Sequence, residues 1–222
     1  MSTKPQRKQA RLDGQVRLSE IYRVAAKIIC EKGYDATSMS EIADAVGITK
    51  AGVYHHIPGK QDLLFAIMCY GLDSLENEVI KPARAVDDPE ERLRAIVFNH
   101  SRLITDRSTS MGNPVTIVID EVAGLTPVHR RKIEQRKRAY IKLVRDTLEQ
   151  LKQEGKLRKV NVTVAAFSLF GMILWLSRWY RPGGELSPGQ VAKEVCDIAM
   201  AGLLQPIARA ASERQKKNSL TP

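Results

Sequence analysis

The stretch from Ser38 to Gly59, SMSEIADAVGITKAGVYHHIPG, limits most tightly what this chain can fold into. It is punctuated for two short helices with a sharp turn between them. Ser38 with Glu41 three residues on is the pattern of a capping box, in which each side chain satisfies an otherwise orphaned backbone N–H. Ile42, Ala43 and Val46 give that helix an apolar face, and Gly47 stops it where a left-handed turn is cheap. Thr49 is placed to cap the second helix, which Pro58-Gly59 closes. Upstream, Leu18, Ile21, Val24, Ala25, Ile28 and Ile29 recur at three- and four-residue steps before the stop signal Gly33. Three helices, the last two around a tight glycine turn, make a helix-turn-helix.

The remaining patterns are helical as well. One helix is expected from near Lys60 to about Ala85, and an amphipathic one from about Pro89 to Asp106. STSMGNP breaks the chain before a further helix over Pro114 to Val122. Thr126 as cap and Pro127 at the first helical position start another, which runs to Glu154 before Gly155. An apolar helix to about Tyr180 and a last one from about Ser187 to Leu204 complete the set. Repeats and strands are not seen. The expected fold is all-α: a helix-turn-helix domain over 1–59, with 1–16 as a basic, flexible arm, joined to a larger helical domain over 60–222 with a polar tail from 205.

Val162 to Leu176, VTVAAFSLFGMILWL, is apolar nearly all round but shorter than the roughly 20 residues a bilayer span needs. It reads as a helix buried on two sides, one against its own core and one against a second subunit. No membrane role is expected.

Charge narrows the partners. The formal net charge is +10, which suits a polyanion. It is concentrated in two places: seven basic against two acidic residues over 1–27, and twelve against four over 129–159. Two basic regions leave room for two anionic partners. Cys30, Cys69 and Cys196 are far apart and odd in number, which argues against a disulfide frame or zinc knuckle and for a reducing cytoplasm. The N-terminus lacks the apolar core of a secretory signal. A nucleophile elbow, a Ser-His-Asp order and a glycine-rich phosphate loop are all missing, so neither enzymatic activity nor a cofactor is expected.

In a helix-turn-helix the second helix of the pair enters the major groove while the first buttresses it. Ala43 is small where the two cross, and Ile48 and Val53 suit the inside. Thr49, Lys50, Tyr54 and His55 are left to face outward, with Ala51 and Gly52 small enough for close backbone approach. Hydroxyl, ammonium, phenol and imidazole groups all contact phosphates or base edges. Lys60 opens the next helix, where free N–H groups also favour a phosphate. Tyr54 has a second reading, packing against that next helix. A metal site at His55–His56 is not expected, because adjacent residues on a helix point about 100° apart and two metal-binding histidines need i, i+4 spacing.

The segment TSMSEIADAVGITKAGVYHHIPGKQDLL resembles the DNA-binding signature of the TetR family of bacterial transcriptional regulators over about Arg17 to Leu64. The shared features are the Thr-Ser opening, the IA-x-x-x-G-I turn, the YHH ending and the K-x-x-L start of helix four. Ile57 stands where the family usually has phenylalanine and keeps the site apolar. The resemblance implies a homodimer with two reading heads on double-stranded, pseudo-palindromic DNA and a C-terminal domain that binds a ligand and dimerises. Carried over by position, it makes Thr37, Ser38, Thr49, Lys50, Tyr54, His55 and Lys60 the candidate DNA contacts.

Farther on, LFGMILWLSRWYRPGGELSPGQVA, and more loosely IDEVAGLTPVHRRKIEQRKRAYIKLV, resemble a branch of that family responding to acyl-CoA thioesters. Such a ligand needs an apolar tunnel, a plane for stacking and basic groups for its phosphates. Leu93, Ile96, Val97, Phe98, Ile117, Met172 and Trp175 are the expected tunnel. Arg178 and Arg181, with Arg131, Arg136 or Arg138, are the expected phosphate contacts, and Trp179 completes the candidate set. Alternatives stay open: Trp175 and Trp179 as dimer packing, the two arginines paired with Glu185 or Asp120, and a drug-like effector in place of a thioester. His100 and His129 read as surface or core polar residues.

Overall fold

Helix follows helix as the local caps prescribe. The computed structural model describes residues 4–106, 114–120 and 122–206; the expected break at 107–113 and the polar tail beyond Pro206 lie outside them. The elements are α1 (Lys4–Lys32), α2 (Met39–Val46), α3 (Lys50–His56), α4 (Lys60–Leu75), α5 (Lys81–Arg84), α6 (Pro89–Thr105), α7 (Pro114–Asp120), α8 (Pro127–Gln153), α9 (Val162–Trp179) and α10 (Pro188–Leu203). Instead of a separate arm, the chain is helical from Lys4 onward and continuous with α1. Lys, Gln, Arg and Ala dominate that stretch, and all are strong helix formers.

The described chain packs as two units. The first runs from the N-terminus to Ser74 and takes in the later segment that ends at Arg136; the second takes Leu75–Asp106 and the chain from Lys137 onward. The expected boundary after residue 59 therefore falls inside the first unit.

In the first unit Ile21, Ala25, Ile42, Ala43, Val53, Ile57, Leu63 and Leu64 are buried. Here α1 packs on α2 and α7, and α2 on α3. At Gly71 on α4 an added Cβ would stand 2.7 Å from the Pro114 carbonyl carbon, so this glycine lets α7 approach the α4 backbone.

In the second unit α6 packs on α9 and α10. Its buried stripe includes Leu93, Ile96 and Val97; α9 brings Ala166, Leu169, Phe170 and Ile173, and α10 brings Val191, Ala192 and Met200. The starts of α6, α9 and α10 each have a side-chain cap. Asp88 accepts from Glu90 N and Glu91 N, each at 2.9 Å. Asn161 accepts from Thr163 N at 2.9 Å and Val164 N at 3.2 Å. Ser187 and Gln190 form a complete capping box, with Gln190 N donating to Ser187 Oγ at 3.3 Å and Ser187 N donating to Gln190 Oε1 at 2.9 Å.

The helix expected from Lys60 to Ala85 is interrupted. A π-helical turn spans Glu76–Ile80, and the Lys81 N–H donates five residues back to the Glu76 carbonyl. Pro82 supplies the cause: its ring has no N–H and clashes with the carbonyl four residues earlier, so the preceding turn widens.

Candidate DNA-reading surface and effector domain

Three local devices shape the reading head. Glu41 N donates to Ser38 Oγ at 3.1 Å, which is the first half of the expected capping box. The second half is not made: the Glu41 carboxylate pairs with Lys32 at the end of α1 instead. A charged donor offers the carboxylate more than a neutral backbone N–H does. That partnership lowers the Glu41 pKa and raises that of Lys32. Gly47 takes φ 73°, and the Ile48 N–H returns to Ala43 O at 3.0 Å. Gly52 N donates to Thr49 Oγ1 at 3.0 Å, capping α3. At Gly52 a Cβ would stand 3.2 Å from that same Thr49 oxygen, so the glycine also keeps room for the cap.

With Val53 and Ile57 buried beneath, α3 presents Lys50, Ala51, Tyr54 and His55 outward, and the exposed Ser38 and Thr49 flank them. Tyr54 is 42% exposed, which favours the outward reading over packing on the next helix. His56 is exposed too, and its ring meets that of His55 edge-on, centroids 5.1 Å apart.

Two candidates change character. Thr37 is buried, and its hydroxyl donates to Gly33 O at 2.8 Å. It closes the turn after α1 as a buried turn residue, not the outward DNA contact its place in the motif suggests. Lys60 donates to Asp35 O at 3.0 Å, and its ammonium lies 4.4 Å from the Tyr34 ring centre. An ammonium carries three N–H donors, so this anchor leaves donors for a phosphate.

The effector candidates divide differently. Ile117, on α7, is buried in the first unit, whereas Phe98, Arg138, Met172, Trp175, Arg178, Trp179 and Arg181 belong to the second. Arg138 lines an open groove of about 470 Å³ with Ile141, Lys142, Arg145, Asp146, Glu149 and Val162. Lys142 is bound to Asp146 at 2.6 Å. Phe98 and Met172 are half-buried. Trp175 and Trp179 are 65% and 51% exposed and share a face of α9 with Val164 and Phe167. Arg178 is exposed at the end of that helix, and Arg181 donates to the carbonyls of Arg178 and Tyr180 at 3.2 and 3.1 Å.

Sequence reasoning missed one constellation. His100 on α6 is enclosed, with Nδ1 3.1 Å from the Tyr140 hydroxyl oxygen on α8. The Tyr140 ring meets His100 edge-on at 5.6 Å and Phe170 of α9 at 5.4 Å. Burial pushes the imidazole down to about 4 and the phenol up. His100 Nε2 and Ser101 Oγ are buried without a partner. The signal was available in part: His100 continues the stripe of Leu93, Ile96 and Val97 at helical spacing. Its partner lies forty positions away, where periodicity cannot reach.

The comparisons agree with this division of labour. The profile described as "Bacterial regulatory proteins, tetR family" matches residues 21–67. That of "Tetracyclin repressor-like, C-terminal domain" matches residues 86–203. The HTH-type transcriptional repressor KstR2 of Rhodococcus jostii (strain RHA1) is 31% identical over 192 residues, covering 86% of this chain and 92% of that protein. Among solved structures, AibR in complex with isovaleryl coenzyme A and operator DNA is 41% identical, with a TM-score of 0.72 over 82% of this chain and 97% of that one. The ketosteroid regulator KstR2 of Mycobacterium tuberculosis is 26% identical, with a TM-score of 0.76 over 86% of this chain and 96% of that one.

Proposed function

The chain belongs to the TetR family of bacterial transcriptional regulators, and from that premise we propose that it is a repressor that leaves its operator when a coenzyme A thioester binds. The observation that carries the effector class is the likeness to AibR, solved with isovaleryl coenzyme A and operator DNA, across nearly that whole chain. The second unit has chemistry suited to such a ligand. Arg138, Lys142 and Arg145 line one groove and offer cations to phosphates.

Two copies are needed to read a pseudo-palindrome, each head entering one major groove a helical turn from the other. The exposed face of α9 with Val164, Phe167, Trp175 and Trp179 is the contact we assign to the second copy. By length and hydropathy alone α9 would also pass as a bilayer span. Its buried face packs within the second unit, and the exposed apolar stripe suits a self-complementary two-fold contact. The working place of such a protein is with the chromosome, in the cytoplasm.

Release follows if the thioester binds the DNA-incompetent arrangement more tightly than the competent one. A mobility-shift titration of the upstream intergenic DNA, with and without a panel of acyl-CoA thioesters, tests this. Release by at least one thioester is expected. Binding unchanged across the panel, with release by hydrophobic drugs instead, would replace the effector class and leave the repressor reading in place.

A further inference from the structure

Glycine weakens the interior of a helix more than any residue but proline. At Gly71 the reason for one lies inside the chain, because α7 takes the space where a side chain would stand. Gly171, in the middle of α9, is different. It is exposed, its backbone is ordinary helix, and a Cβ added to it would meet nothing within 4 Å. The gap it leaves is open only to a body outside this chain.

The residues around that gap form a symmetric series. Val164, Ser168, Gly171, Trp175 and Arg178 are all exposed and follow one another at steps of four, three, four and three. At 100° per residue they fall in one strip about 80° wide, with the exposed Phe167 and Trp179 on its two flanks. Counted outward from Gly171, Phe167 and Trp175 stand four residues away on either side, and Val164 and Arg178 seven. Bulk lies towards both ends and the low point at the centre. A two-fold contact sets a surface against itself, and this strip matches its own inverted copy.

Two copies of α9 can meet across a two-fold axis either parallel or antiparallel. Parallel pairing sets each residue against itself, which brings Arg178 beside Arg178 and like helix ends together. Antiparallel pairing about Gly171 separates the two arginines by about 20 Å at 1.5 Å per residue. It sets Phe167 of each copy against Trp175 of the partner subunit, an aromatic pair made twice by symmetry. The aliphatic stem of Arg178 then lies along Val164 of the partner subunit. The antiparallel arrangement wins on both charge and packing.

We propose that the two-fold axis of the dimer passes through Gly171, where the two α9 helices cross antiparallel with their backbones in close approach. This rests on the assignment of the α9 face to the second copy and fixes the register of that contact. Trp175 and Arg178, both candidates for the effector, then serve the dimer instead.

Sedimentation equilibrium and disulfide trapping on the full chain test it, in a Cys30→Ser background because Cys30 is the exposed native cysteine. Gly171→Leu has room within its own chain, so its circular dichroism should match that of wild type. Its dimer should be about a hundredfold weaker, since two leucines would meet on the axis; an unchanged dimer constant overturns the proposal. Gly171→Cys should give disulfide-linked dimers under mild oxidation. Phe167→Cys and Trp175→Cys should not link to themselves, because antiparallel pairing holds each about 12 Å from its own copy, but should link to each other after subunit exchange. Self-linked Phe167→Cys with no mixed product overturns the antiparallel register and leaves α9 as the contact. Phe167→Lys separates the two levels: it should dissociate the dimer, and a dimer as tight as wild type overturns the α9 assignment and the register with it.

Discussion

Lys60 Nζ donates to the carbonyl oxygen of Asp35 at 3.0 Å, so the first residue of α4 holds the loop between α1 and α2. The same ammonium lies over the Tyr34 ring. The residue expected to meet a phosphate is thus already held in place, with its charge near the end of the reading head.

Lys60→Ala should weaken binding to every DNA sequence alike and lower the slope of log affinity against log salt by about one. It should also lower the melting temperature slightly, because the Asp35 contact goes. Salt titrations on operator and random DNA check this, and an unchanged slope would remove Lys60 from the phosphate contacts.

Lys50→Ala and Tyr54→Ala should behave otherwise if these exposed side chains reach base edges. Each should cost operator binding about 1–3 kcal/mol more than random-sequence binding. Competition assays measure the difference, and equal losses on both DNAs would make the contacts backbone ones.

Thr37→Val removes a buried hydroxyl bonded to Gly33 O. A stability loss of about 1 kcal/mol is expected, read by denaturant unfolding, together with an unchanged salt slope for DNA. A change in that slope without loss of stability would restore Thr37 as a contact.

Much of the reading head was legible because its signals are local. Gly47 and Thr49 do in the fold what their positions announced, since a cap needs partners only two to four residues away. Glu41 was misjudged because its partner, Lys32, ends a different helix. Thr37 carries the same motif match as Ser38, but only the packing shows that one hydroxyl is buried and the other exposed. The effector set was harder still. Ile117 and Phe98 have similar apolar surroundings in the sequence, yet they belong to different units. Nothing in the 3.6-residue period links His100 to Tyr140.

The buried imidazole gives stability a pH dependence with a definite sign. The folded pKa of His100 is about 4, below the ordinary 6.5, so the unfolded chain takes up the proton first. Its contribution is intact above pH 6.5 and declines as pH falls towards 4, by roughly 3 kcal/mol in all. Denaturant unfolding of wild type and His100→Phe across that range should show the two curves diverging by this amount, and parallel curves would count against a neutral, buried ring.

Gly71→Ala should destabilise the first unit, because the new methyl would stand 2.7 Å from the Pro114 carbonyl carbon. Backbone cannot swing aside as a side chain does, and a cost of about 2 kcal/mol is expected. Thermal unfolding provides the check; an unchanged or raised midpoint would mean that α7 yields easily.

The wide turn at Glu76–Ile80 has a consequence for comparing sequences. A π turn is equivalent to one residue inserted into an α-helix, so every position after Ile80 is advanced by about 100° from where counting along α4 would put it. A relative whose helix runs on without the turn should align to this chain only with a single-residue gap in that window. Without the gap, the inward-facing positions of Lys81–Arg84 would be matched to the wrong side of the relative's helix.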